Sequence, residues 1–273
     1  MPSTSHPTSI ARAPCVGVIA GFVLLFPLGA VAGPPYVTDD PEPVELHHWE
    51  FYLATIDQWS RGDGWSGTSP HLEVNYGVIP DVQLHLIAPL AWTRPPGGPA
   101  RFGYGDTELG AKARFVHEGA WMPQIGTFPL VELPTGDSSR GLGAGETQVF
   151  LPVWLQKSFG PWTTYGGGGY WINPGPGNRN WWYVGWQAQR QIVQGVTLGA
   201  EIFHQTSRQE GRSGETRFDV GMVVDFGEMH HLLLSAGHAF GSEAAQGYLA
   251  YQLTFGPGGE PPPPAPEREH VGH

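Results

Sequence analysis

A single cysteine, Cys15, stands in 273 residues, which excludes a disulfide framework and any cysteine-based zinc site. Charge is scarce as well: Asp, Glu, Lys and Arg make up 14% of the chain, against roughly 25% in an ordinary soluble domain. Cations are the scarcer sign, with 14 Lys and Arg against 25 Asp and Glu; the net charge of −11 argues against nucleic acid as a partner. No apolar run reaches the roughly 20 residues of a membrane-spanning helix. What the chain has in quantity is glycine (40) and proline (27), together with 11 Trp, 9 Tyr and 13 Phe. Glycine and proline are costly inside helices, so a helical protein is ruled out. A hydrophobic content of 40% is too high for a disordered chain. An all-β protein accommodates this composition.

The first residues read as an export signal. A polar stretch with Arg12 precedes an apolar run from Val16 to Leu28, and Ala30-Val31-Ala32 supplies the small-residue pattern at which signal peptidase cuts. Residues 1–32 are therefore expected to be a signal peptide, followed by a Pro- and acid-rich lead-in at 33–45. At the other end, residues 256–273 contain Pro261-Pro262-Pro263-Pro264 and read as an extended, disordered tail. The lead-in is expected to resemble that tail.

Between them, residues 46–255 alternate apolar and polar side chains with period two, the signature of strands. Val82, Leu84, Leu86, Ala88, Leu90 and Trp92 share one face, with Gln83 and His85 on the other. Thr107, Leu109, Ala111, Ala113 and Phe115 oppose Asp106, Glu108, Lys112 and Arg114. Phe218, Val220, Met222, Val224 and Phe226 oppose Arg217, Asp219 and Asp225, while Leu198 and Ile202 face away from Glu201 and Phe203. Twelve strands are expected, at 46–59, 71–77, 82–92, 105–116, 124–134, 146–158, 162–172, 180–193, 196–205, 216–226, 230–240 and 247–255. Long polar loops, at 60–70, 93–104, 135–145, 173–179, 206–215 and 241–246, alternate with short turns.

That alternation predicts a transmembrane up-and-down antiparallel β-barrel in the outer membrane, long loops outside and both mature termini periplasmic. A soluble lipocalin-like barrel is the alternative. Against it stand the number of strands, the polar faces, and aromatics near strand ends (Trp49, Trp59, Trp92, Phe115, Trp121, Trp162, Trp181, Trp182) where interface girdles sit. Expected partners are outer-membrane lipids, the barrel-insertion machinery and a small-molecule permeant. Tyr251, Leu253 and Phe255 end the last strand on an aromatic, as barrels read by that machinery do.

The lumen candidates are Asp106, Glu108, Lys112, Arg114, Glu201, Arg217, Asp219 and Asp225. They form a selective ring, or else acids and bases of facing strands pair and fill the interior. The negative net charge favours cations or neutral solutes. No cofactor is expected. Of the twelve histidines, His47-His48 and His230-His231 are adjacent and point to opposite faces, and His48, His71 and His85 are too dispersed for a metal site. Ser235 with His238, and His204 with Ser207, are spaced by three and face opposite ways, so a hydrolase of outer-membrane lipids is a minor alternative and no catalytic residue is assigned.

A family resemblance adds to this reading. The runs Gly105-Asp106-Thr107-Glu108-Leu109-Gly110-Ala111-Lys112 and Leu133-Pro134-Thr135-Gly136-Asp137 resemble the outer-membrane transporter family named for the meta-pathway of phenol degradation. Pro70-His71-Leu72-Glu73-Val74-Asn75-Tyr76-Gly77-Val78, followed by Pro80-Asp81, is similar to it too. The resemblance spans most of 46–255 and implies an outer-membrane barrel that passes small molecules, hydrophobic or aromatic ones among them. It marks Gly105, Asp106, Pro134, Thr135, Gly136 and Asp137 as family-motif positions. A structural or assembly barrel with a filled lumen is the rival reading.

Overall fold

Strands with one apolar and one polar face must hide their backbone groups and choose which face meets water. In the computed structural model, which describes residues 35–257, they do so by closing a twelve-stranded antiparallel sheet on itself. The strands are β1 (Trp49–Ser60), β2 (Gly64–Ile79), β3 (Val82–Arg94), β4 (Arg101–Tyr104, continuing as Thr107–Val116), β5 (Gln124–Thr127, continuing as Leu130–Leu133) and β6 (Gln148–Phe159). Then follow β7 (Trp162–Ile172), β8 (Trp181–Val193), β9 (Val196–Gln205), β10 (Glu215–Asp225), β11 (His230–Ala239) and β12 (Ala244–Phe255). Each pairs with its neighbours in sequence. The ring closes where β1 meets β12, in unbroken register from Trp49 opposite Phe255 to Ser60 opposite Ala244. No edge is left open, so the ladders are satisfied around the ring except at local shifts and interruptions.

Closure sorts the side chains by parity. Leu84, Leu151, Val153, Val184, Ile202 and Val220 point outward and are exposed. Gln83, Lys112, Gln156, Gln187, Glu201, Asp219 and Gln252 point inward and are buried. An apolar exterior around a polar, charge-bearing interior inverts the plan of a soluble domain and suits hydrocarbon outside. The outward aromatics include Trp162, Trp182 and Phe115 near strand ends, as expected. Trp181 departs from that expectation: it lies inside, packed against Trp171.

Several boundaries differ from the sequence reading. The expected loop at 60–70 is mostly strand, because β2 begins at Gly64 and pairs with the top of β1 to make a tall hairpin turning at 61–63. Pro70, which has no N–H to give the ladder, falls at a register shift between Thr68 and His71. Likewise β4 begins at Arg101, is interrupted at Gly105 and Asp106, and then continues. Phe128-Pro129 interrupts β5. The expected signal peptide and the Pro-rich tail beyond Pro257 lie outside the described residues.

The outward parity of Val153, midway along β6, gives a direct test. Val153→Arg is expected to lower the unfolding free energy of the bilayer-inserted barrel by about 2–4 kcal/mol, read from denaturant titration in vesicles.

Candidate functional site

The inner face is built by the second side chain of every strand pair, and a segment ahead of β1 occupies part of the space it encloses. The described part of the lead-in expected at 33–45 is not an extended spacer. Residues 35–46 run through the lumen, with Thr38, Asp40 and Pro41 fully buried. The backbone N–H groups of Val37 and Thr38 each donate to the Glu201 carboxylate at 2.8 Å. Thr38 Oγ1 lies 2.9 Å from the Tyr183 hydroxyl. Lys112 Nζ reaches Asp39 at 2.9 Å and Asp40 at 3.4 Å. Glu42 accepts from Gln124 (3.1 Å) and Gln156 (2.9 Å), and Val44 N–H donates to Gln83 at 2.8 Å. Ser235 Oγ donates to the Pro35 carbonyl at 2.6 Å, on the far wall. Glycines make room: a Cβ on Gly185 would fall 2.2 Å from Thr38 Oγ1, and one on Gly199 2.5 Å from the Tyr36 hydroxyl. The segment thus crosses the lumen from β2 and β3 to β9–β11.

These contacts redistribute the eight lumen candidates. They do not converge on one ring. Lys112 and Glu201 hold the crossing segment. Arg114 grips Asp81 of the β2–β3 turn at 2.7 Å and approaches Glu42 at 3.7 Å. Glu108 joins a wall network in which His85 sits between Glu108 (3.0 Å) and Asn75 (2.7 Å), and Asn75 donates to Glu73 at 2.9 Å. Arg217 pairs with Glu215 at 2.6 Å, Asp219 accepts from Gln246, and Asp225 lies 2.7 Å from His231. Of the two options read from sequence, pairing describes most of these groups.

Asp106 does something different. It sits at the interruption in β4, where its two carboxylate oxygens accept from the N–H groups of Gly136 (2.8 Å) and Ala144 (2.5 Å). Thr135 Oγ1 donates to the Gly105 carbonyl at 2.9 Å and accepts from Thr107 N–H at 2.8 Å. Asp137 precedes the short helical turn Ser138–Arg140, and its carboxylate accepts from the Ser139 hydroxyl at 2.6 Å. The two family-motif runs, thirty residues apart, therefore meet and fix the long β5–β6 loop. Gly136 and Gly143 must be glycine here, since a Cβ would fall 2.4 Å from the Leu142 carbonyl and 2.4 Å from Asp106 Oδ1, respectively.

Sequence reasoning passed over the aromatic half of the lumen. Phe128, Phe150, Trp154, Trp181, Tyr183 and Phe203 form one buried cluster, with Trp171 against it. Ring contacts run Trp181 to Trp171 (5.4 Å), Trp171 to Phe150 (4.8 Å), Phe150 to Tyr183 (6.4 Å) and Tyr183 to Phe203 (5.7 Å). The signal was present in parity alone, since Phe150 and Trp154 share the face of Gln156, and Phe203 that of Glu201. Above the crossing segment a cavity of about 800 Å³ opens at the end carrying the long loops, with Val37 and Phe203 among its lining. Arg61 pairs with Glu243, and Arg212 binds Asp63 at 2.8 and 3.0 Å, tying the β9–β10 loop to the β1–β2 turn.

No protein-family model matches this chain, and no curated protein sequence does. Solved structures do match. An outer membrane channel from Pseudomonas putida F1 is similar at a TM-score of 0.65 and 16% identity, over 79% of this chain and 98% of that one. The chain shares the β-barrel fold of that structure. The KdgM porin (TM-score 0.51, 10% identity, 75% of this chain and 99% of that one) and the NanC porin (0.51, 6%, 74% and 98%) share it.

Two outcomes are expected. Lys112→Met strands the buried Asp40 and its half-buried neighbour Asp39 without their cation, a loss of about 3–5 kcal/mol for a broken buried pair; the segment then leaves the lumen more readily, seen as faster amide exchange across 37–44. The second concerns the mouth, where the Arg212 guanidinium, hydrogen-bonded to Asp63, holds that carboxyl below its ordinary value. The tether is therefore complete at neutral pH and is lost as pH falls through the depressed value. Asp63→Asn should speed amide exchange across 206–214 at neutral pH, and the difference from wild type should vanish in acid.

Proposed function

We propose that this protein is a passive outer-membrane channel for small hydrophobic and aromatic molecules, its lumen narrowed by residues 35–46. The observation that carries the reading is the continuous run of lumen-facing rings from Trp181 and Trp171 to Tyr183 and Phe203. A wall of packed rings, reached from the cavity at Phe203, offers an apolar solute contact that a water-filled pore does not. The crossing segment, fixed by polar contacts on both sides, excludes large solutes. Movement is diffusion down a gradient, with no chemical step. The likeness to outer-membrane channels supports the transport role, and the likeness of the two loop-fixing motifs to the phenol-degradation transporter family supports the aromatic solute. In this reading the long loops face outward, both ends of the mature chain are periplasmic, and Tyr251, Leu253 and Phe255 are presented on the outer face of β12 to the insertion machinery.

A second reading is favoured by the burial of Thr38, Asp40 and Pro41: a barrel filled for good, serving structure or assembly. Uptake separates them. Cells with an intact lipopolysaccharide outer membrane that carry this barrel are expected to accumulate labelled benzyl alcohol faster than cells without it, and a pentose of similar size much less so. Equal accumulation with and without the barrel would leave the filled-barrel reading standing and remove the channel.

A further inference from the structure

The charges around the mouth cavity do not cancel. Asp63, Glu215 and Glu243 line it, and each is bound to an arginine: Arg212, Arg217 and Arg61. A fourth arginine, Arg208, forms no ion pair among the described residues; the Glu132 and Glu215 carboxylates act on it only through space. Its Nε and Nη2 both donate to Gln205 Oε1, at 3.1 and 2.5 Å, and Nη1 has no hydrogen-bond partner there. The guanidinium carbon lies over the Trp181 ring, 4.1 Å from its centroid. Its backbone is pinned as well, for the Arg208 carbonyl accepts from Arg179 N–H at 2.9 Å and from Asn173 Nδ2 at 3.2 Å. An arginine so placed has already given up its rotamer freedom, so the cost of ordering it on a ligand is small.

Beneath it lies the aromatic run. Trp181 is its upper end, and Phe203, beside Val37, lines the cavity at the lower end. We propose that the cavity is a binding site for small organic monocarboxylates with an aromatic or short apolar body, the carboxylate on Arg208 and the body in the cavity below it, on the side toward Phe203 and Val37. This rests on the channel reading above and names the solute class. It also runs against the chain's net charge of −11. That charge governs distant encounter, whereas within a Debye length of about 8 Å the cavity lining sets the sign, with Arg61, Arg208, Arg212 and Arg217 against Asp63, Glu215 and Glu243.

The test compares benzoate with benzyl alcohol, which share a ring and differ in charge, by equilibrium dialysis against the full barrel in detergent. Wild type is expected to bind benzoate more tightly than benzyl alcohol. Arg208→Gln should weaken benzoate about tenfold or more and leave benzyl alcohol within about twofold, the loss of one charge-assisted contact. Benzoate binding unchanged in Arg208→Gln, or no tighter than benzyl alcohol in wild type, overturns the proposal while the channel reading stands. If neither solute binds and benzyl alcohol uptake is also unaided, the channel reading falls with it. Should Arg208→Gln fail to give the heat-modifiable band of a folded barrel, a salt series on wild type decides: benzoate affinity must fall with salt while benzyl alcohol does not, and a flat benzoate series refutes the site.

Discussion

Pairing of β1 with β12 is the constraint on which everything else depends. Once Trp49 faces Phe255 and the ring is shut, a side chain has two destinations, and parity decides which. The outward set is apolar without exception along the middle of β6, β8 and β10. The inward set holds most of the charge along the middle of the strands, and a charge inside a barrel must find a partner or water. Lys112 and Glu201 find theirs in a segment that precedes the barrel in sequence. The lead-in is therefore folded because the wall needs it: its acids satisfy Lys112, and its free N–H groups satisfy Glu201.

Much of this was legible in the sequence, and the reason is the short range of the strand period. The inward placement of Gln83 and His85, of Glu108, Lys112 and Arg114, and of Glu201 and Asp219 follows from two-residue spacing, which needs no knowledge of neighbours. Strand ends were less legible. Trp65 to Thr68 reads as loop by composition, yet it is strand because Ser60 to Ile56 stand opposite to receive it. The partners of Lys112 were not legible at all. Asp39 and Asp40 are about seventy residues away, and nothing local in a Pro-flanked acidic stretch separates a ligand of a buried lysine from a solvated spacer. Arg208 was hidden for a related reason, as one polar residue in a polar loop, distinguished only once Trp181 turned inward beneath it.

The lumen divides into two chemistries. Around β2, β3 and β4 runs a hydrogen-bonded network of Glu73, Asn75, His85 and Glu108, while β5 to β9 present rings. The crossing segment is held by polar groups at both ends of its path and passes alongside the rings between them. The motif-bearing loop, fixed through Asp106, stands above the same side.

The central claim is that lipid meets the outward side chains and never the inward ones. Two tryptophans report on it directly. Trp186 lies on the outer face of β8 and is half exposed, whereas Trp154 on β6 is buried in the lumen cluster. In variants keeping one of these tryptophans and phenylalanine elsewhere, reconstituted in vesicles with brominated acyl chains, Trp186 fluorescence should be strongly quenched and Trp154 fluorescence spared. Quenching of Trp154 with Trp186 untouched would contradict the account.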